Sequence, residues 1–236
     1  MDDTNDDADS GTDDGADDGM DGGAGGDTDG ELVRRYRGRM VTGPFPAFDE
    51  AESAALERET GRPLPEPYLA FLRAAGGSGL DYSVHLPECE PEPLHAFDEL
   101  YVLGRDATGR YGPGTLLGEY RSSTEPEFRD LLPIARSGGG DTLFLDLAPA
   151  THGRLCAFVS GIPWPGRLQH GVFTEVAPDF DAYLDALVLD PDVAELHWED
   201  VSGHDPADPW RRAVEARLDR ELPHWRAEPW APGQTG

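Results

Sequence analysis

The sequence predicts an α+β protein: a single domain of helices and a mainly antiparallel sheet, followed by a C-terminal helical extension. Three observations carry this. Apolar residues recur at helical spacing over 48–60, 64–75 and 179–189. Two strand-like runs, 142–147 and 154–159, flank a His152-Gly153 turn, which implies a hairpin and antiparallel pairing. Beyond Pro191 the composition changes, and Asp208-Pro209 supplies an N-cap and a first-turn proline for a further helix. The chain therefore divides into an acidic tail (1–31), a main domain (32–190) and an extension docked on it (191–236).

The tail holds twelve Asp and Glu31, with no base and almost no apolar bulk. Such a segment cannot bury enough surface to offset its chain entropy, and disorder is expected. In the next segment, Phe48, Ala51, Ala55 and Leu56 share one helical face, Glu50 and Glu52 sit in the first turn, and Gly61 stops the helix. A second helix opens at Leu64-Pro65-Glu66-Pro67 and presents Tyr68, Leu69, Phe71, Leu72 and Ala75 before Gly76-Gly77 ends it. Strands are expected at 82–86 and 100–103, separated by an acidic, proline-rich loop over 87–93. A short apolar strand over 131–135 then leads to Ser137-Gly138-Gly139-Gly140-Asp141 and the hairpin. Over 179–189, Phe180, Tyr183, Leu184, Leu187 and Val188 form the clearest amphipathic pattern in the chain. In the extension, Trp210, Val214, Leu218 and Leu222 follow at four-residue steps, with Arg211, Arg212, Arg217 and Arg220 on the same helix.

Charge narrows the function classes. The 236 residues carry 47 acids against 19 bases, a net −28, and every base is Arg. From Leu32 onward the net charge is still −15. So negative a surface repels phosphate backbones, which argues against direct nucleic-acid binding and favours a basic protein partner. No apolar run approaches the ~18 residues a membrane helix needs, and Met-Asp-Asp opens no secretory signal. A cytoplasmic protein with two free thiols, Cys89 and Cys156, is the expectation.

An ordered series of short motifs adds to this. It comprises Leu56-Glu57 before Gly61, Leu64-Pro65-x-x-Tyr68-x-x-Phe71-Leu72, Gly76-Gly77 and Leu132-Pro133-Ile134-Ala135. After these come Gly139-Gly140-Asp141 leading into Leu143-Phe144-Leu145-Asp146, then Val176-Ala177-x-x-Phe180-x-x-Tyr183-Leu184. Over about residues 44–190 the chain resembles the Smi/Knr cell-wall-assembly regulator family of the SUKH superfamily. The resemblance implies a strongly curved sheet packed by helices and, for bacterial members, an immunity protein that binds and neutralises a toxin, often a nuclease. Fungal relatives imply a signalling scaffold instead. The tail and the segment after Pro191 lie outside the pattern. The matched residues read as structural, with Asp141 satisfying backbone N–H groups of its own turn.

Candidate chemistry does not survive inspection. Ala135-Arg136-Ser137-Gly138-Gly139 has the outline of a nucleophile elbow but leads into a strand rather than a helix. Gly112-Pro113-Gly114-x-x-x-Gly118 outlines a dinucleotide loop, yet Pro113 removes an N–H a phosphate would need, and a turn fits better. Glu195, His197, Glu199, Asp200, His204 and Asp205 concentrate metal-capable groups without ligand spacing and read as a solvated loop. No cofactor and no catalytic residue are expected. The predicted partner surface is Asp81, Tyr82, Glu88, Glu90, Glu92 and Trp164. The last is a ring between two prolines, suited to anchor an interface. Trp198, Trp210, Trp225 and Trp230 are expected to pack the extension on the main domain. The preferred function is an immunity protein for a basic, nuclease-type toxin. A regulatory scaffold with several partners is the alternative, and a metal-dependent hydrolase the remotest.

Overall fold

A computed structural model describes residues 32–123, 128–161 and 170–231. The acidic tail and Trp164, and the expectations attached to them, lie outside the described residues. The chain has a mixed α+β fold with antiparallel sheets and C-terminal helices.

It opens with a hairpin absent from the sequence reading, β1 (Val33–Tyr36) and β2 (Arg39–Thr42), turning at Arg37-Gly38. Helix α1 (Glu50–Thr60) is capped by Asp49, whose carboxylate accepts from Ala51 N–H at 2.7 Å, and ends at Gly61. Gly61 adopts φ 67°, a left-handed conformation that costs a residue with a Cβ roughly 1–2 kcal/mol. Helix α2 (Glu66–Ala75) begins with Pro67 in its first turn and buries Tyr68, Leu69, Phe71, Leu72 and Ala75. A Cβ on Gly77 would lie 2.4 Å from the Thr42 carbonyl, so glycine here lets the end of α2 sit against β2.

Strands β3 (Ser83–His85) and β4 (Leu94–Ala96) pair across the acidic loop, which contains a 3-10 turn at Pro87–Cys89. The strand expected over 100–103 is limited to β5 (Glu99–Leu100). Tyr101 N–H then pairs with the Ile134 carbonyl, and Val102 N–H with that of Gly114. After Gly112-Pro113-Gly114 comes a short helix, α3 (Leu116–Ser122), capped by Thr115.

The principal sheet runs β5–β6–β7–β8–β9, antiparallel throughout: β6 (Leu131–Arg136), β7 (Thr142–Asp146), β8 (Leu155–Val159) and β9 (Val172–Ala177). Its register is interrupted at Pro133/Ala135 and at Leu155/Cys156, the kind of irregularity that bends a strand and increases its twist. Helix α4 (Phe180–Ala186), capped by Asp179, stops sooner than its apolar pattern suggests. Leu187 is extended, and Val188 exchanges backbone hydrogen bonds with Ser83 at 2.8 and 2.9 Å. Pairing with β3 therefore overrides the helical period, and Val188 is left half-exposed rather than on the helix face.

One core cluster joins α1, α2, α4 and the inward residues of the sheet, among them Leu132, Leu143, Leu145, Leu155 and Ala157, all at 0% exposure. It continues into the extension, where α5 (Pro191–Ser202) and α6 (Pro209–Glu221) contribute Trp198, Val201, Val214 and Leu218. The solvated loop expected at 195–205 is largely helical because Asp190 caps α5 and Pro191 opens it. Trp198 and Trp225 meet at 4.9 Å inside this layer, and Trp225 stacks on Trp230 at 6.0 Å.

Candidate functional site

Three places concentrate side chains with functional potential. The first is the segment at Asp81-Tyr82, expected to face a partner. Tyr82 is instead 1% exposed. Its hydroxyl accepts from Met40 N–H at 2.9 Å and donates to Glu221 at 3.0 Å, while the Arg217 guanidinium lies 4.2 Å above its ring. Burial, the leading cause, pushes the Tyr82 hydroxyl up to about 12. Arg217 is itself 1% exposed, donates to the Asp81 carbonyl, and lies 2.9 Å from His197 Nδ1. His197 Nε2 is in turn 3.3 Å from the Asp81 carboxylate. Asp81 and Tyr82 are thus the point onto which α5 and α6 close, and a partner has no access to the tyrosine ring. The sequence contained the signal: Val214, Arg217, Leu218 and Glu221 fall at i, i+3, i+4 and i+7, which puts Arg217 on the buried face of α6.

The second place is the acidic turn. Glu88, Glu90 and Glu92 are exposed there, and behind them a cavity of about 70 Å³ is lined by Cys89, Glu92, His95, Gly139, Asp141 and Ser160. The Asp141 carboxylate accepts from Ser160 N–H at 2.8 Å and faces His95 Nδ1 at 3.5 Å. It serves the end of β8 rather than its own turn. The N–H groups of Gly139 and Asp141 are taken by the Ser137 hydroxyl, each at 3.1 Å. Burial opposes the Asp141 charge, but the contacts from His95 and Ser160 outweigh it and hold the carboxyl below its usual range. Cys89 shares this cavity, yet burial, then Glu88 and Asp141, push its thiol up. A nucleophilic cysteine needs the opposite shift. Among the described residues no group of three or more His, Cys, Asp or Glu is placed to hold a metal ion.

The third place is the outward face of the principal sheet. Cross-strand register puts Pro133 opposite Phe144, Phe144 opposite Cys156, and Phe158 opposite Phe173. These side chains point away from the core cluster, to which neither Phe144 nor Cys156 belongs despite being 5–6% exposed. Phe128 stacks on Phe144 at 5.5 Å, and both rings lie 6.3 Å from Phe173, which is 49% exposed. Together they floor an open groove of about 530 Å³ whose other walls include Asp130 and Asp146. Burial, the largest cause, pushes the Cys156 thiol up to about 11, as an apolar floor would. The sequence reading missed this face, although Phe144 interrupts the polar parity of 142–147 and, past Arg154, 154–159 is apolar on both parities. An antiparallel sheet with one wet face alternates instead.

The remaining motif residues serve the architecture: Leu64, Tyr68, Phe71, Leu72, Phe180 and Leu184 are all at most 6% exposed. Pro65 precedes α2, Gly76 follows it, and Gly140 turns the β6–β7 connection with φ 92°. The model of the SMI1 / KNR4 family (SUKH-1) matches residues 47–186, more than half of the chain. The chain belongs to this family. The match stops before α5, so the helices that close over Asp81 and Tyr82 lie outside the family's matched segment. No curated protein matches the chain. No helix among the described residues is long and apolar enough to cross a membrane.

Proposed function

We propose that this SMI1 / KNR4 family member is an immunity-type protein that binds a cognate toxin domain and blocks it by occlusion, without catalysis of its own. The supporting observation is the pairing of an open aromatic sheet face with a chain of 47 acids and 19 bases. Aromatic rings supply the anchors of protein interfaces, while a negative field speeds encounter with a basic partner. A nuclease-type toxin, basic because it handles phosphate backbones, has the matching charge, and the work is done in the cytoplasm. Glu88, Glu90 and Glu92 form an acidic rim suited to the same partner, without Tyr82.

The test is co-expression with the toxin domain encoded beside this gene. Growth should be rescued and the two chains should co-purify as a complex that weakens with salt. Failure of the neighbouring product to bind, or turnover of a small molecule by the purified chain, overturns the reading. A regulatory scaffold is favoured instead by one feature, the thirteen acids without a base in residues 1–31. It predicts several partners, all bound more weakly once residues 1–30 are deleted.

A further inference from the structure

The aromatic groove deepens this reading by assigning it a surface, and the inference rests on the chain being a protein-binding module. We infer that the outward face of β6–β9 is the primary docking site, and that its occupant is a basic protein segment. Such a segment would lay an apolar side chain over Phe128 and Phe173 and set an arginine or lysine against Asp130 and Asp146.

The groove measures about 530 Å³, within the roughly 300–1,000 Å³ of sites that enclose small ligands and anchoring side chains. Its floor is preformed: Phe128, Phe144 and Phe173 already touch at 5.5–6.3 Å, so little side-chain ordering remains when a partner arrives. Among the described residues, two carboxylates and no cation line it. Asp146 uses one oxygen on Ala148 N–H at 2.8 Å, and Asp130 lies 3.5 Å from Arg62 in a pair about 40% exposed, where attraction is weak. Neighbouring Arg154 is committed to Glu175 at 2.8 Å.

Charge decides among possible occupants. A second copy of the chain would bring Asp130 and Asp146 against their own equivalents in molecules that each carry −28. Stacked nucleic-acid bases would suit the rings, but their phosphates would meet the same carboxylates. A basic polypeptide satisfies both floor and wall.

The experiment is selection of a random peptide display library on the full 236-residue chain, followed by affinity measurement on chosen peptides. Enriched peptides should combine an aromatic or long aliphatic residue with a nearby Arg or Lys. Their affinity should fall about tenfold for Phe173→Ser, the size of a typical anchor loss. Asp130→Asn with Asp146→Asn should weaken binding about fivefold and remove most of its salt dependence. Glu199→Gln, exposed on α5 and away from the groove, should leave affinity unchanged. Unaltered near-ultraviolet circular dichroism establishes that each variant is folded. The inference is overturned if no peptide is retained, if Phe173→Ser binds as well as the parent, or if enriched peptides lack basic residues. Rescue by this chain of cells carrying the adjacent toxin, with peptides indifferent to Phe173, would remove the surface and leave the function. Phe173-dependent basic peptides without any toxin binding would do the reverse.

Discussion

Two aromatic clusters in this molecule use the same side chains to different ends. On the covered side, Tyr68, Phe71, Phe180 and Tyr183 meet at centroid separations of 4.9–6.3 Å, each no more than 2% exposed. On the outward face of the sheet, Phe128, Phe144 and Phe173 meet at 5.5–6.3 Å, with Phe173 49% exposed. Ring geometry is therefore not what separates them. Aromatic pairs contribute about 0.5–1.5 kcal/mol beyond their buried area, and the larger part of the free energy comes from area removed from water. The covered cluster has realised that part in folding. On the outward face Phe144 has realised most of it as well, and it is Phe173, still half in water, that holds area in reserve for association to release.

The sharpest test of the covered side is Phe71→Ala. It deletes a ring in contact with Tyr36, Tyr68 and Phe180 and leaves a cavity the helix cannot collapse into, at a cost of about 3–5 kcal/mol. Denaturant unfolding followed by tryptophan fluorescence measures this. A loss below about 1 kcal/mol would place Phe71 among weakly packed residues and erase the contrast.

Next in size is Arg217→Ala, which strips the Asp81 carbonyl and His197 of their donor and empties the space over the Tyr82 ring. Breaking a buried charged arrangement on one side costs about 3 kcal/mol. The expected outcome is loss of that stability with α5 and α6 exchanging amide hydrogens faster than the principal sheet, and with the outward aromatic face unaltered. Uniform acceleration throughout the chain would mean that the extension and main domain unfold as one unit.

These two substitutions also mark what was legible in the sequence. Helices α1, α2 and α6 and the β7–β8 hairpin were readable because caps, prolines, glycines and local periodicity specify them within a few residues. The β1–β2 hairpin and β9 were not read, since short half-buried strands take their identity from partners far along the chain. Tyr82 differs: its alternation with Val84 and Leu86 and the apolar face of α6 both mark buried positions, but nothing local says that residues 39, 40, 217 and 221 meet around its ring. The aromatic face shows in the sequence only as Phe144 between Thr142 and Asp146 and as Cys156 and Phe158 on the outward parity of β8, and only pairing shows that Phe144, Phe158 and Phe173 share one side.

A smaller effect is expected at Asp141, in the turn that joins β6 to β7. Its folded carboxyl titrates below its unfolded value near 3.9. The stabilisation is therefore present above about pH 4 and is lost as pH falls through the lower, folded value. Asp141→Asn should cost about 1 kcal/mol at neutral pH, the scale of one hydrogen-bond contribution. It should also flatten the acid limb of the stability curve. An unchanged limb would show that the contacts with His95 and Ser160 do not favour the charged carboxylate.

The smallest stability change is expected at the residue given the largest role in binding. Phe173 stands on strand β9 with nearly half its surface in water, so replacing it by serine forgoes little burial on folding. Its neighbours Phe158, Phe128 and Phe144 each lose one contact, worth a few tenths of a kcal/mol apiece (about 0.2–0.5) at such an exposed position. Serine also removes apolar surface that the folded chain must otherwise expose. Thermal unfolding should therefore place Phe173→Ser within about 1 kcal/mol of the parent, against several for Phe71→Ala. Were the two substitutions to cost the same, the outward rings would belong to the folding core, and no aromatic face would remain for a partner to cover.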